Sequence, residues 1–347
     1  MKIVWLSSRF LGGDLSSTTQ IQLANGLVGK GHSVDFYSPG KSVGNKFTHH
    51  PIERSNTRGF QASSVAKQLS KRLDEFENAD VILIDWPIFQ LAKLVDKPVI
   101  LMDRSPPADK GVFSKLQWPK WNKAWAKAIR GAVVSDAHRE FVVDFTQTPK
   151  ASIGVIPAGV DLQLFQHGEK DGPIRMVYHG RVDVNRGVMS LPMILAGLQA
   201  QGIEASLHIH GSGDAVKRLQ NIGLEGLEVT EAIPQDEVAE LLSKYDVGLL
   251  PMPENKVWNL ASPLKRSEYL GSGLVICGID HEGHRIKDSG NWLQLFTQTE
   301  FISKTVSWLQ SLDRQLLTAL QKESRTYAEE NLSWSHSVDA LESMILS

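Results

Sequence analysis

Short runs of apolar residues alternate along this chain with longer segments whose apolar residues recur at helical spacing. This alternation predicts parallel strands joined by helices, because strands that are covered on both faces are apolar throughout. Ten runs are predicted as strands, five in each half of the chain: KIVWLS, SVDFYS, DVILID, PVILMD and AVVS, then RMVYHG, ASLHIHG, LEVTEAI, VGLLP and LVICGI. The pattern predicts an α/β protein built from two doubly wound, Rossmann-like domains.

A segment rich in glycine, proline and charge, IPAGVDLQLFQHGEKDGP, separates the two halves. Such a composition is typical of a linker between domains. The chain has 347 residues, which is more than one hydrophobic core ordinarily organises. We therefore expect the first domain to end near residue 168.

The formal net charge of −2, from 37 basic and 39 acidic residues, excludes the overall positive field that nucleic-acid binding favours. No apolar run reaches the length of a membrane-spanning helix, and the apolar run in the opening MKIVWLSSRF is too short for a signal peptide. We expect a cytoplasmic protein that does not bind nucleic acid. The single cysteine, Cys277, excludes a disulfide within the chain and is predicted to be a small buried residue of LVICGI.

Both halves open with a strand followed by a glycine loop and a helix. In the first half, Gly12 and Gly13 precede a helix whose N-terminal amides favour an anion, so this loop is a candidate phosphate contact. The strict dinucleotide fingerprint is absent, and a simple tight turn stays open as the alternative. In the second half, GRVDVNRGV places Arg181 and Arg186 five positions apart beyond a strand. Guanidinium groups grip phosphate oxygens two at a time, so the pair predicts a pyrophosphate clamp, with a solvated pair as the alternative.

The segment SPLKRSEYLGSG is predicted to be a loop followed by a helix. Ser262, Pro263 and Leu264 then stand at the helix N-terminus, where their amides can face a phosphate. Glu268 follows one turn later, and its carboxylate can accept hydrogen bonds from both hydroxyls of a ribose. An exposed helical glutamate is the alternative.

Two further patterns allow more than one interpretation. His208 and His210 lie on one face of a predicted strand, but no third ligand accompanies them, so no metal site is predicted. The segment WPKWNKAWAKAIR is a basic amphipathic helix, with tryptophans on one face and lysines on the other. Either the tryptophan face of residues 118–130 contacts an anionic membrane surface, or the tryptophans pack into the core and the lysines are solvated.

The chain as a whole resembles the glycosyltransferases of the GT-B fold, in particular the retaining glycosyltransferase family 4. The resemblance rests on a series of segments that keep the family's order and spacing over nearly the whole sequence: GG at 12–13 with LANGLVGKGHSVDFYS, VVSDAHREFV, IGVIPAGVDLQLF, HGRVDVNRGV, LHIHGSGD, YDVGLLP, SPLKRSEYLGSG and LSWSHSVDALESMI. It implies two Rossmann-like domains facing a cleft: an acceptor-side domain over 1–168, a nucleotide-sugar domain over 169–325, and a C-terminal helix over 326–347 that packs back on the first domain.

The resemblance also implies a function and roles for the candidate residues. It implies metal-independent transfer of a sugar, with retention, from a UDP- or GDP-linked donor to a hydroxyl of a glycan or lipid-linked acceptor, without a cofactor. Arg181 and Arg186 would hold the donor diphosphate and Glu268 the ribose. The remaining donor-binding positions would be Gly12, Gly13, Gly211, Ser262, Leu264 and Lys265. If the tryptophan face of residues 118–130 contacts an anionic membrane, we expect the cytoplasmic protein to lie on the inner face of that membrane.

The sequence departs from the family's pattern at three places. Arg186 stands where the family commonly has lysine, which keeps the charge but changes its geometry. Leu260 stands where the first of two paired glutamates is expected, so Lys265 or Ser262 would take over part of its role. Asp103, with Arg104 beside it, stands where a catalytic-site histidine is common, and Asp103 is a candidate for orienting the sugar or the acceptor, or else a turn-capping residue.

Two other functions fit the same architecture. A nucleotide-sugar epimerase shares the fold but needs acid and base side chains around the sugar, and the sequence shows no clear set. A non-catalytic nucleotide-sugar-binding protein is compatible with the missing glutamate and histidine.

Overall fold

The computed structural model describes residues 1–12, 17–41, 45–107, 112–168 and 170–347, without the side chains of 112–114 and of 235 and 236. The chain divides into two compact units. The first comprises Met1–Ala158 together with Trp334–Ser347, and the second comprises Gly159–Ser333.

Within the described residues, the first unit contains a seven-stranded parallel sheet in the order β3-β2-β1-β4-β5-β6-β7. Its strands are β1 (Lys2–Leu6), β2 (Ser33–Ser38), β3 (Thr48–Pro51), β4 (Val81–Asp85), β5 (Val99–Met102), β6 (Arg130–Val133) and β7 (Ile153–Val155). The strand order reverses between β1 and β4, and in such sheets ligands bind beyond the carboxyl ends of the strands at this point.

Helices cover both faces of this sheet, and its central strands are therefore buried on both sides. The α-helices are α1 (Ser17–Gly29), α2 (Gln61–Leu69), α3 (Val112–Trp125) and α4 (Asp136–Thr146). Short 3-10 helices span Leu73–Phe76, Trp86–Lys93 and Lys150–Ser152. Two hydrophobic clusters result, one on each face of the sheet.

The described part of the second unit contains a six-stranded parallel sheet in the order β10-β9-β8-β11-β12-β13. Its strands are β8 (Ile174–Arg181), β9 (Ala205–Ser212), β10 (Leu227–Thr230), β11 (Val247–Leu250), β12 (Val275–Ile279) and β13 (Leu293–Phe296). The order reverses between β8 and β11. Cys277 on β12 is buried, as predicted.

The helices of the second unit enclose one large hydrophobic cluster. They are α5 (Leu191–Ala200), α6 (Val216–Gln220), α7 (Gln235–Leu242), α8 (Lys256–Asn259), α9 (Leu264–Gly271), α10 (Phe301–Gln310) and α11 (Arg314–Asn331), with 3-10 helices at Val184–Arg186 and Val188–Ser190. The two parallel sheets with flanking helices confirm the predicted class of two doubly wound, Rossmann-like domains.

The last helix, α12 (Trp334–Leu346), belongs to the first unit, as the predicted fold class has it. It lies against α1, where Gly26 leaves room for Val338: a Cβ at Gly26 would collide with that side chain. Val338, Leu341 and Ile345 are buried in the cluster that covers one face of the sheet. Arg130 at the start of β6 adds a hydrogen bond of 2.9 Å from its Nη1 to the carbonyl oxygen of Met344.

Candidate functional site

The carboxyl ends of β8 and β9 lie unusually close together. Gly180 and Gly211 are paired in the parallel register, and a Cβ at Gly211 would collide with the carbonyl oxygen of Gly180. Gly180 also has a φ of +112°, which favours glycine. Gly211, a predicted donor contact, therefore lets the backbone turn beside the strand that carries Arg181.

The structure brings Arg181 and Arg186 together around one carboxylate. Arg181 donates to Asp183 from Nε at 3.2 Å and from Nη2 at 3.0 Å, and Arg186 Nε lies 3.9 Å from Asp183 Oδ2. The Arg181 side chain is 46% exposed and that of Arg186 is 20% exposed. Asp183, which the sequence analysis did not single out, therefore holds both guanidinium groups at the surface of the unit.

Arg186 lies at the point where the strand order of this sheet reverses. Its Nη1 is 3.5 Å from the sulfur of Met252, just beyond β11, and its guanidinium lies over the ring of Trp258 at 5.8 Å from the centroid. Gly187 has a φ of +74° and packs so closely on Pro251 that a Cβ would collide with the carbonyl oxygen of Pro251. The predicted clamp thus stands where α/β sheets commonly bind ligands, and its contact with a diphosphate stays a prediction.

A third cation, Lys265, approaches the same strand end from the first turn of α9. Its Nζ lies 3.9 Å from the centroid of the Tyr178 ring, is inaccessible to solvent and has no hydrogen-bond partner among the described residues. Other atoms of Lys265 are partly exposed. Burial, followed by the nearby Arg186, lowers the pKa of Lys265 to about 7. An ammonium group in this position gains from any anion that reaches it.

The N-terminus of α9 has the form that the sequence predicted. Pro263 precedes the helix in an extended conformation with φ −68° and ψ 119°, and Leu264 is the first helical residue. Pro263, the residue at the N-cap position, offers no side-chain hydrogen bond to the first amides of the helix. Ser262 and Leu264 are both partly exposed.

Glu268 lies one turn into α9 and is only 3% exposed. Its Oε2 is 3.3 Å from Nε2 of His179, which projects from β8 and meets the ring of Tyr269 edge-on at 5.3 Å. The sequence analysis did not single out His179 either. Its position two residues before Arg181, on the same strand, could have indicated that it lies near the candidate site. The ribose contact of Glu268 stays a prediction.

In the first unit, Gly12 has a φ of +81°, and its amide donates to the hydroxyl of Ser17 at the start of α1. Gly13 lies outside the described residues. This positive φ is alone a sufficient reason for glycine at position 12. A phosphate contact at either residue stays a prediction.

A polar network that the sequence analysis did not anticipate lies at the carboxyl ends of β1 and β4. The carboxylate of Asp85 is buried and accepts hydrogen bonds from Ser7 Oγ at 2.6 Å, Gln20 Nε2 at 3.0 Å and Trp5 Nε1 at 3.3 Å. Burial raises the pKa of Asp85, and Arg9, whose Nε is 4.0 Å away, opposes the rise. The network ties the loop after β1 to α1 at the reversal point of this sheet.

Asp103, a candidate for orienting the sugar or the acceptor or else for capping a turn, lies in the core of the first unit. It is completely buried, and its Oδ2 accepts hydrogen bonds from the indoles of Trp121 at 2.6 Å and Trp125 at 2.9 Å. Nε2 of His138 lies 3.3 Å from the same oxygen. Burial opposes ionisation, but His138 and the two indoles outweigh it and hold the pKa of Asp103 below its ordinary value. This position ties α3 and α4 to the sheet and does not favour contact with a substrate. Neighbouring Arg104 donates to the carbonyl oxygen of Ile156 at 2.7 Å.

The tryptophan face of residues 118–130 is turned into the protein, so the interpretation of an exposed, membrane-facing tryptophan surface is wrong. Trp121 and Trp125 are 0% and 1% exposed, and α3 ends at Trp125. Trp118 is partly buried against the rings of Phe141 and Phe145. Because Asp103 accepts hydrogen bonds from both of their indole N–H groups, Trp121 and Trp125 are buried without losing a hydrogen bond. Among the described helices, none has the length and apolar character to cross a membrane.

The two histidines of β9 have partners other than a metal. The ring nitrogens of His210 lie 2.6 Å from the Thr230 hydroxyl and 3.3 Å from the Tyr245 hydroxyl, and His208 Nδ1 is 3.2 Å from Glu228. Burial lowers the pKa of His210 to about 4. In the described part of the chain, no three His, Cys, Asp or Glu side chains are grouped so that they could hold a metal ion.

Comparisons with known proteins agree with this architecture. The model of the family described as Glycosyltransferase Family 4 matches residues 16–164. No curated protein matches the chain closely enough to count as a relative. Among solved structures, sucrose-phosphate synthase from Thermosynechococcus elongatus is similar at a TM-score of 0.78 and 14% identity, over 99% of this chain and 98% of that one.

Two other solved structures are similar over their full length. One is WaaG, a glycosyltransferase involved in lipopolysaccharide biosynthesis, with a TM-score of 0.76 and 15% identity over 99% of both chains. The other is HepE from Anabaena in complex with UDP-glucose, with a TM-score of 0.71 and 13% identity over 100% of both chains. Identities this low establish the fold alone. The family match and the fold together confirm the resemblance to the GT-B glycosyltransferases.

Proposed function

We propose that this chain, which resembles the GT-B glycosyltransferases in its family match and its fold, transfers a sugar from a nucleoside-diphosphate sugar to a hydroxyl group of an acceptor. We include in the proposal that the anomeric configuration is retained and that no metal ion takes part. The acceptor is a glycan or a lipid-linked molecule.

The observation that carries this proposal is the convergence of three cations at the carboxyl edge of β8. Arg181 and Arg186 are held by Asp183, and the ammonium of Lys265, which has no hydrogen-bond partner in the described part of the chain, lies over the ring of Tyr178. A diphosphate bound there would receive two planar guanidinium forks and one ammonium group. Because the pKa of Lys265 is about 7, binding of a diphosphate would also stabilise its protonated form.

This charge arrangement suits the breaking of a bond between a sugar and a diphosphate. As the glycosidic bond lengthens, negative charge grows on the leaving oxygen while the sugar takes on oxocarbenium character. Cations that are already in place stabilise that charge more in the transition state than in the ground state. The guanidinium groups would then perform the task that a divalent cation performs in other transferases.

The proposal is tested by incubating the protein with a panel of nucleotide sugars and simple hydroxyl acceptors. UDP-glucose is the first donor to try, because the similar HepE structure from Anabaena contains it. Free nucleotide together with a glycosylated acceptor supports the proposal, and NMR of the new linkage reports its stereochemistry. An isomerised donor would indicate an epimerase, and binding without turnover a non-catalytic binding protein.

We expect Glu268→Ala to weaken the binding of the donor's nucleoside diphosphate by about 1.5 to 3 kcal/mol, or roughly ten- to 150-fold, because hydrogen bonds from two ribose hydroxyls to a carboxylate are lost. Isothermal titration measures the change. Glu225→Ala, which alters an exposed glutamate of the same unit, is the matched control. An unchanged dissociation constant in a folded Glu268→Ala protein would place this carboxylate outside the ribose site.

We expect sugar transfer to proceed at an unchanged rate in excess EDTA, because arginines and helix amides neutralise the diphosphate in the proposed site. The assay compares initial rates with and without the chelator, after dialysis against it. A loss of activity that magnesium or manganese restores would contradict the metal-free proposal.

A further inference from the structure

A cavity of about 490 Å³ lies in the first unit, among α2, α3 and the 3-10 helix Trp86–Lys93. It involves none of the residues of the candidate donor site. Apolar side chains form one part of its wall, among them Trp86, Phe89, Ala62 and Ala124. Cavities of this size are typical of small-molecule sites.

Four lysines line the same cavity: Lys93, Lys120, Lys123 and Lys127. None of the described lining residues is acidic. Lys93 and Lys127 both line the cavity, and the proximity of Lys93, followed by burial and by Lys123, lowers the pKa of Lys127. Like charges placed so close repel each other, and an anion between them removes the repulsion.

Three exposed apolar residues adjoin lining residues of the cavity in the sequence. Phe60, Leu94 and Leu116 are 63%, 51% and 63% exposed, and each directly neighbours a lining residue in sequence. Large apolar side chains that are exposed near a cavity can form part of a binding surface. The cavity thus combines apolar side chains, among them Trp86 and Phe89, with a concentrated positive charge.

We propose that this cavity binds a single anionic amphiphile, a molecule with one apolar chain and a phosphate or diphosphate group. The chain lies along Trp86 and Phe89, and the phosphate bridges Lys93 and Lys127. Lysine suits this role because its ammonium is a compact point charge on a flexible stem, which accommodates a phosphate without fixed geometry. A ligand without the chain loses the apolar wall, and one without the phosphate leaves the lysines unpaired.

Dodecyl phosphate, used below its micelle concentration with the full-length protein, is a suitable probe. Isothermal titration is expected to show one site, with affinity at least about tenfold higher than for inorganic phosphate or dodecyltrimethylammonium, which each lack one of the two recognised groups. If the cationic detergent binds equally well, the site recognises only the apolar chain and is an apolar groove. Equal binding of inorganic phosphate would reduce it to an anion site. Either result overturns the proposal.

The double variant Lys93→Gln/Lys127→Gln is expected to lower the affinity for dodecyl phosphate about tenfold or more, because both phosphate contacts lose their charge. The matched control, Lys71→Gln/Lys115→Gln, removes two exposed lysines that do not line the cavity and is expected to bind as the unaltered protein does. Equal weakening in both double variants would indicate a general charge effect and would contradict the proposal.

A second variant tests the cavity without altering any charge. Ala124→Leu places a larger side chain in its wall and is expected to weaken binding, with thermal unfolding confirming that the protein is folded. Unchanged binding in a folded Ala124→Leu protein would contradict the assignment. If the protein sediments with anionic vesicles but shows no saturable binding of dodecyl phosphate, the cavity proposal is contradicted. That result would indicate a membrane-contacting surface. Nucleotide binding, measured separately, reports on the donor site alone.

Discussion

Replacement of Arg181 or Arg186 by alanine is expected to lower the rate of sugar transfer about a hundredfold or more. Each guanidinium would be a charge contact to the leaving diphosphate, and removal of one such preorganised contact commonly costs that much. The two residues share Asp183, so the loss of either leaves that carboxylate beside the remaining arginine. The negative charge of Asp183 then offsets the one remaining arginine, so less positive charge faces the incoming diphosphate, which adds to the effect.

Steady-state kinetics of both alanine variants, with donor concentration varied, measure this change. Arg218→Ala is the matched control, since Arg218 is an exposed arginine of α6 in the same unit. Arg186→Lys keeps the charge and loses the planar fork, so its rate distinguishes the two contributions. Unaltered kcat and KM in a folded alanine variant would remove that arginine from the clamp.

Trp125→Ala is expected to lower the free energy of unfolding by about 3 to 5 kcal/mol, as truncation of a large buried aromatic residue ordinarily does. Its ring packs on Gly131, where a Cβ would lie 2.5 Å from the ring, and its indole donates to the buried Asp103. The variant therefore opens a cavity and removes one hydrogen bond from a carboxylate in the core. Both losses act in the same direction.

Chemical denaturation midpoints of the variant and the unaltered protein measure the change. Ile129→Ala is the control, because Ile129 follows the same helix but is 84% exposed and should change stability by less than about 0.5 kcal/mol. Trp125→Phe retains most of the ring volume and loses the indole donor, so it separates packing from hydrogen bonding. A loss below about 1 kcal/mol for Trp125→Ala would contradict the burial of this side chain.

All ten strands predicted from the apolar pattern are present, but three strands were missed. They are β3 (THHP), β7 (IGV) and β13 (LQLF), which are three or four residues long and lie at the edges of the two sheets. A run of three or four residues is too short to show the period of a strand, so its sequence does not differ from that of a loop. Their presence follows from the hydrogen bonds that a neighbouring strand offers.

The candidate site shows a similar limit. The spacing of Arg181 and Arg186 indicated a clamp, yet the carboxylate that holds them, Asp183, stood in the same motif without being recognised. Its role depends on how the loop folds back, which residue spacing does not specify. Likewise, the amphipathic pattern around Trp125 predicted a helix but left open whether its tryptophans face solvent or the core, which the buried carboxylate of Asp103 decides.

The position of α12 has a consequence for the order in which the molecule is completed during synthesis. The first unit needs Val338, Leu341 and Ile345 to cover one face of its sheet, and these residues leave the ribosome after the whole of Gly159–Ser333. Domains generally fold as units and in the order of their emergence. Here the strands of the second unit emerge first, and the apolar surface of α1 and β1 is covered only once α12 has emerged.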